Sequence, residues 1–85
     1  MTEDEIIDKA EALPERFADR LTESALWSVQ QMRGGGEYGL LTIEIAASLA
    51  KHSAPVTAEE RDELRELLQA MSLPTDPIEQ LNVQG

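Results

Sequence analysis

The chain has 85 residues, no cysteine, and a formal net charge of −10 from 17 acidic and 7 basic side chains. That length allows one domain spanning 1–85, and the lack of cysteine excludes disulfides and thiolate metal sites. The charge repels phosphate backbones and anionic lipid, so it disfavours direct binding to nucleic acid or membrane and suits a basic partner.

Residues 1–13 are acidic where a secretory signal would be basic and then apolar. No stretch approaches the roughly 20 apolar residues of a membrane span. A soluble cytoplasmic protein is expected. No alternating strand pattern occurs, and the apolar spacing is helical throughout. The predicted fold is all-α: a small four-helix bundle with a short C-terminal turn.

Thr2 followed by Glu5 reads as a capping box that opens helix one, with Ile6, Ile7, Ala10 and Leu13 on one face. Pro14 lacks a backbone donor, which predicts a kink or stop near Leu13. Phe17 and Leu21 keep nearly the same phase, so a bent continuation or a short second turn is expected over 15–21. Thr22 is the next N-cap, and helix two runs to about Arg33. Gly34 to Gly36 then permit the left-handed backbone that ends a helix.

Helix three is predicted from about Glu37 to His52. Its apolar residues surround most of the circumference and leave one polar stripe of Glu44, Ser48, Lys51 and His52. Such a helix is covered by its neighbours on most sides. Ser53 to Val56 reads as a loop. Thr57 with Glu60 is the clearest capping box, and Leu64, Leu67, Leu68 and Met71 form a single core-facing stripe on helix four. Pro74 stops that helix. Asp76-Pro77 starts one further turn with Ile78 and Leu81, and Asn82 to Gly85 are expected to fray.

Residues that carry chemistry are scarce. His52 is the only histidine; at a helix C-terminus it caps or faces water, so neither a metal site nor a cofactor is expected. The adjacent pair His52-Ser53 points about 100° apart and is not a catalytic dyad. Helix-face carboxylates are expected to be solvated, which makes them poor general acids. Gly34-Gly35-Gly36 has no following lysine and is followed by Glu37, so it reads as a turn and not a phosphate cradle. The Asp-Ser-Leu motif of acyl carrier proteins is absent. No enzyme is expected.

Surfaces are more informative. Glu59, Asp62, Glu63 and Glu66 lie off the leucine stripe of helix four. Only Asp62 has a clear partner, Arg65 at i+3, so this face is a candidate for binding a basic partner. Trp27 falls opposite the apolar arc of helix two. Either helix two is sandwiched between other elements or Trp27 is partly exposed. Core use is expected in a chain with three aromatic residues, and Trp27 is kept as a further contact candidate. Glu37 and Tyr38, beside the glycine bend, and Glu44 complete the candidates.

The run Gly36-Glu37-Tyr38-Gly39-Leu40, then Glu44, then Val56-Thr57-Ala58-Glu59-Glu60 and Leu64 through Met71-Ser72-Leu73, resembles the MafI-type immunity protein family. Phe17, Arg20 and Leu21 look similar to the family's leading segment, and the likeness covers about residues 15–73. Gly34, the Leu40-Leu41 pair and the alanine-rich third helix depart from it. The resemblance implies a small all-helical cytoplasmic protein that neutralises a cognate bacterial toxin domain, often a nuclease; a monomer is expected when free. Contact residues in such families vary with the toxin, so the resemblance transfers no interface. A basic nuclease is the partner that an acidic inhibitor suits. The other reading of the same residues is a non-catalytic helical adaptor or dimerisation module.

Overall fold

A computed structural model describes residues 1–84. Among these, five α-helices and one pair of short strands are present: α1 Glu3–Arg16, a 3-10 turn Ala18–Arg20, α2 Glu23–Gly34, α3 Tyr38–Lys51, β1 Pro55–Thr57, α4 Ala58–Ala70, α5 Asp76–Glu79 and β2 Asn82–Gln84. The chain is therefore mostly helical, as expected, but the count of four helices is not exact. The C-terminal turn is a fifth helix, and β1 pairs with β2 in parallel, with Val56 opposite Val83.

Helix α3 is the hub. It packs on α1, α2, α4 and α5, while α1 also touches α2 and α4. Leu41, Ile45, Ala46 and Leu49 of α3 are fully buried against Val29, Leu64, Leu67, Leu68, Phe17 and Ile78. Thr42 is equally buried, and its hydroxyl is satisfied by donating 2.8 Å back to the Tyr38 carbonyl. Neighbours cover the helix on most sides, as expected. Leu40 and Ala47 lie on its exposed side with Lys51, so the outer stripe is part apolar.

Local sequence explains the helix starts. The Thr2–Glu5 and Thr57–Glu60 capping boxes both form, and the Thr22 hydroxyl accepts from the Ala25 amide. Three helices end alike. Gly36, Ser53 and Ser72 take positive φ values of 72°, 50° and 57°. In each case the next amide reaches back to the carbonyl five residues earlier: Glu37 to Met32 at 2.8 Å, Ala54 to Leu49 at 3.0 Å, and Leu73 to Leu68 at 2.8 Å. These are Schellman ends, which satisfy carbonyls that would otherwise be orphaned.

Three local expectations are corrected. Of the kink or stop expected near Leu13, the stop is not seen: α1 continues past Pro14 to Arg16, and the short second turn expected over 15–21 is the 3-10 turn Ala18–Arg20. Pro14 sits in the last turn, where one hydrogen bond is lost, and the turn is held by the buried Phe17, whose amide donates 3.0 Å to the Leu13 carbonyl. Pro55 and Val56 of the expected loop 53–56 belong to a strand, and Asn82 to Gln84, expected to fray, form its partner. Val56 is buried, and the Asn82 side-chain amide donates 2.9 Å to the Ser53 carbonyl, which ties the two segments together. Gly85 lies outside the described residues.

Candidate partner-binding surface

Glu60 is the charged side chain held most tightly by its surroundings, although it was expected among solvated carboxylates. Only 7% of it is exposed. Its capping-box role on α4 points the carboxylate at the 3-10 turn, where Arg20 meets it with two parallel hydrogen bonds of 2.7 and 2.8 Å. The Thr57 amide adds a third at 2.9 Å. Arg20 in turn lies 4.6 Å above the Phe17 ring centroid and donates to the Pro55 and Arg16 carbonyls. The Arg20 hydrogen bonds hold the Glu60 carboxyl down at about 2, against the opposing effect of burial, with help from the Thr57 amide and from the charges of Arg20 and Arg16. A carboxylate held ionised in this way has no spare proton at neutral pH, so it fits a structural tie and not a general acid.

Arginine is used internally throughout. Arg16 pairs with Glu60 and Glu63, Arg20 with Glu60 and Asp19, Arg33 with Glu15, and Arg61 and Arg65 both with Asp62. Of the 17 acidic residues, only those five meet an arginine, which leaves twelve without a basic partner among the described residues. Lys9 and Lys51 are the cations not drawn into such pairs. The surface field is therefore strongly negative, and what differs between faces is how much of it is neutralised locally.

The sequence-predicted residues fall on different faces. On α4, Glu59, Asp62 and Glu66 are exposed along one stripe. Asp62 is clasped by Arg61 and Arg65, and Glu63 is folded onto Arg16 of α1. Sequence spacing missed the second partner because Arg16 arrives from another helix. Glu37 is exposed at the N-cap position of α3 and makes no capping bond. Glu44 is half-buried on α3 and meets no arginine or lysine.

Tyr38 is half-buried at the start of α3, and its hydroxyl donates 2.7 Å to Glu11 of α1. That hydrogen bond raises the Tyr38 pKa above its ordinary value, with smaller contributions from desolvation and from the Glu11 charge. The corner carrying Tyr38 is pinned from the other side as well, since Arg33 donates to Glu15 at 2.6 Å and to the Glu11 carbonyl at 3.1 Å. Gly39 makes a close approach: a β-carbon there would lie 3.1 Å from Leu73 Cδ1. The residues of the Gly-Glu-Tyr-Gly corner thus have packing reasons of their own. Gly39 sits beside Leu73, just beyond α4, whereas Glu59 lies in the first turn of α4, about 18 Å away along a helix of that length. The corner and the start of the α4 stripe lie at opposite ends of that helix.

Trp27 is not in the core. It is 65% exposed on α2, and Leu40 is 54% exposed on α3. Helix α2 buries only Ala25 and Val29 against its neighbours, so the side opposite them faces solvent. A shallow groove of about 430 Å³ runs between α3 and α5, lined by Ala47, Ala50, Lys51, Asp76, Pro77 and Gln80. Among the described residues, no three His, Asp or Glu side chains are grouped to hold a metal ion, and no helix is long and apolar enough to cross a membrane. The chain matches no family model, no curated protein and no solved structure.

Proposed function

We propose that this chain is a non-catalytic binding protein for a basic protein domain, and that it works as an immunity protein: it covers the working surface of a cognate bacterial toxin, with a basic nuclease as the best-suited target. The observation that carries this reading is the distribution of charge. Every arginine is spent on internal pairs, and twelve carboxylates are left to project a negative field. Such a field accelerates encounter with a cationic surface and opposes binding to nucleic acid itself. The likeness to MafI-type immunity proteins over residues 15–73 supports the same reading. Because Gly36, Tyr38 and Gly39 serve the corner's own packing, that likeness bears on fold more than on interface.

The test is binding to the C-terminal domain of a large secreted protein encoded beside this chain. Nanomolar association that slows as salt rises is expected, together with loss of the toxin's activity in the complex. A chain that prefers a polyanion, or that turns over a small molecule, overturns the proposal. Exposure of Trp27 and Leu40 favours a second reading, a helical adaptor that self-associates through these residues. Sedimentation of the isolated chain separates the two, since an immunity protein of this kind need not dimerise.

A further inference from the structure

We propose that the α2–α3 hairpin, with Trp27 as its anchor, is the face that receives the basic partner, and that an arginine of that partner stacks on the Trp27 indole. This assignment rests on the partner being basic, as argued above, and moves the interface away from the α4 stripe.

Trp27 lies at the centre of the outer side of α2. Its neighbours on that side, Glu23 at i−4, Gln30 at i+3 and Gln31 at i+4, are all exposed. The next helix adds Leu40, 54% exposed, with Glu37 three residues before it and Glu44 four residues after it along the same side. Glu44 lies on the flank of α3 opposite Gly39 and Ala50, the residues that meet Leu73 and line the groove with α5. Helices α2 and α3 pack on each other directly.

Charge separates this face from α4. On α4, Glu60, Asp62 and Glu63 are engaged by Arg16, Arg20, Arg61 and Arg65. On the hairpin, Glu23, Glu37 and Glu44 have no basic partner, Arg33 is turned onto Glu15 of α1, and the unpaired Lys51 sits at the far end of α3 from Leu40, whereas Glu59 and Glu66 are the carboxylates of α4 left free. An exposed indole and a leucine framed by unneutralised carboxylates match the centre and rim of an interface. The complementary group is a guanidinium, which stacks flat on an indole and still presents N–H donors to surrounding carboxylates; an ammonium does this less well.

The experiment measures anisotropy of fluorescein-labelled deca-arginine and deca-lysine with the whole chain at low salt, and sedimentation of the chain alone. Trp27→Ala is expected to weaken deca-arginine binding about tenfold, with the circular dichroism of the fold unchanged. A Glu59→Gln/Glu66→Gln variant should weaken it less than about twofold, and deca-lysine should bind several-fold more weakly than deca-arginine. Equal binding by Trp27→Ala and the parent overturns the assignment, as does an equal loss in the α4 variant or a dimer that Trp27→Ala dissolves. If only the α4 variant loses affinity, the hairpin assignment falls and the basic-partner reading stands. If neither peptide binds, both fall.

Discussion

Arg20 and Glu60 form a two-pronged ion pair that joins the turn after α1 to the first turn of α4, with the Phe17 ring as the floor beneath the guanidinium. Both ends of the pair also serve the backbone, since Glu60 accepts from the Thr57 amide and Arg20 donates to the Pro55 carbonyl. Removing Glu60 therefore leaves Arg20 without its main partner and also removes the acceptor for the Thr57 amide. Glu60→Ala is expected to cost on the order of 3 kcal/mol, near the range for breaking a buried pair. Glu59→Ala, one residue away and exposed, should stay within about 0.5 kcal/mol. Urea denaturation of both variants checks the contrast.

The same pair sets an acid limit. The Glu60 pKa is lowered from its ordinary 4.5 to about 2, so the folded state binds this proton less readily than the unfolded state. The stabilisation is complete above about pH 4.5 and is lost as pH falls toward 2, with a size on the order of 3 kcal/mol. Glu5, held down by Thr2, and Glu15, held down by Arg33, act in the same direction. Protonating the twelve unpaired carboxylates relieves repulsion and acts the other way. The difference between the parent and Glu60→Gln isolates the pair: urea midpoints at pH 7, 4, 3 and 2 should converge as the pH falls.

Ser53 and Ser72 occupy left-handed backbone that glycine adopts freely. Ser53→Gly and Ser72→Gly are each expected to stabilise the fold by about 1 kcal/mol, or roughly 4–8 °C in Tm for a domain of this size. Gly36→Ala, at the third such end, should destabilise it by a similar amount. Thermal unfolding followed by circular dichroism decides the sign in each case.

Tyr38 is the only tyrosine, so its ionisation is read directly by ultraviolet absorbance. Its midpoint is expected above the ordinary value near 10, and Glu11→Gln should bring it back down, because Glu11 is the main cause of the shift. A midpoint that does not respond to Glu11→Gln would mean that α1 does not hold the corner in solution.

The helix starts were legible because each lies within four residues: Thr2, Thr22 and Thr57 announce themselves next to what they cap. The leucine stripe of α4 and the Asp76-Pro77 turn were legible for the same local reason. The strand pair was not, because three-residue strands are too short to show alternation and β1 meets β2 only through the tertiary fold. The capping role of Glu60 could be read, but its burial under Arg20 depends on a partner forty residues earlier. Trp27 was legible as a choice between two environments. The choice fell to solvent because α2 lies at the side of the bundle, on α3 and α1, with no element over its outer side. Among the binding candidates, exposure of Glu59, Asp62 and Glu66 followed from spacing, whereas the capture of Glu63 by Arg16 did not.

Because α3 touches every other helix, no subset of the remaining elements keeps a core once it is withdrawn. The amides of Leu41 to Leu49 should therefore exchange with deuterated solvent only through complete unfolding, at the slowest rate in the molecule, while the outer turns of α2 open independently and sooner. A protein arranged in this way keeps a rigid spine and carries Trp27 on a more yielding flank, where side chains can adjust without disturbing the rest.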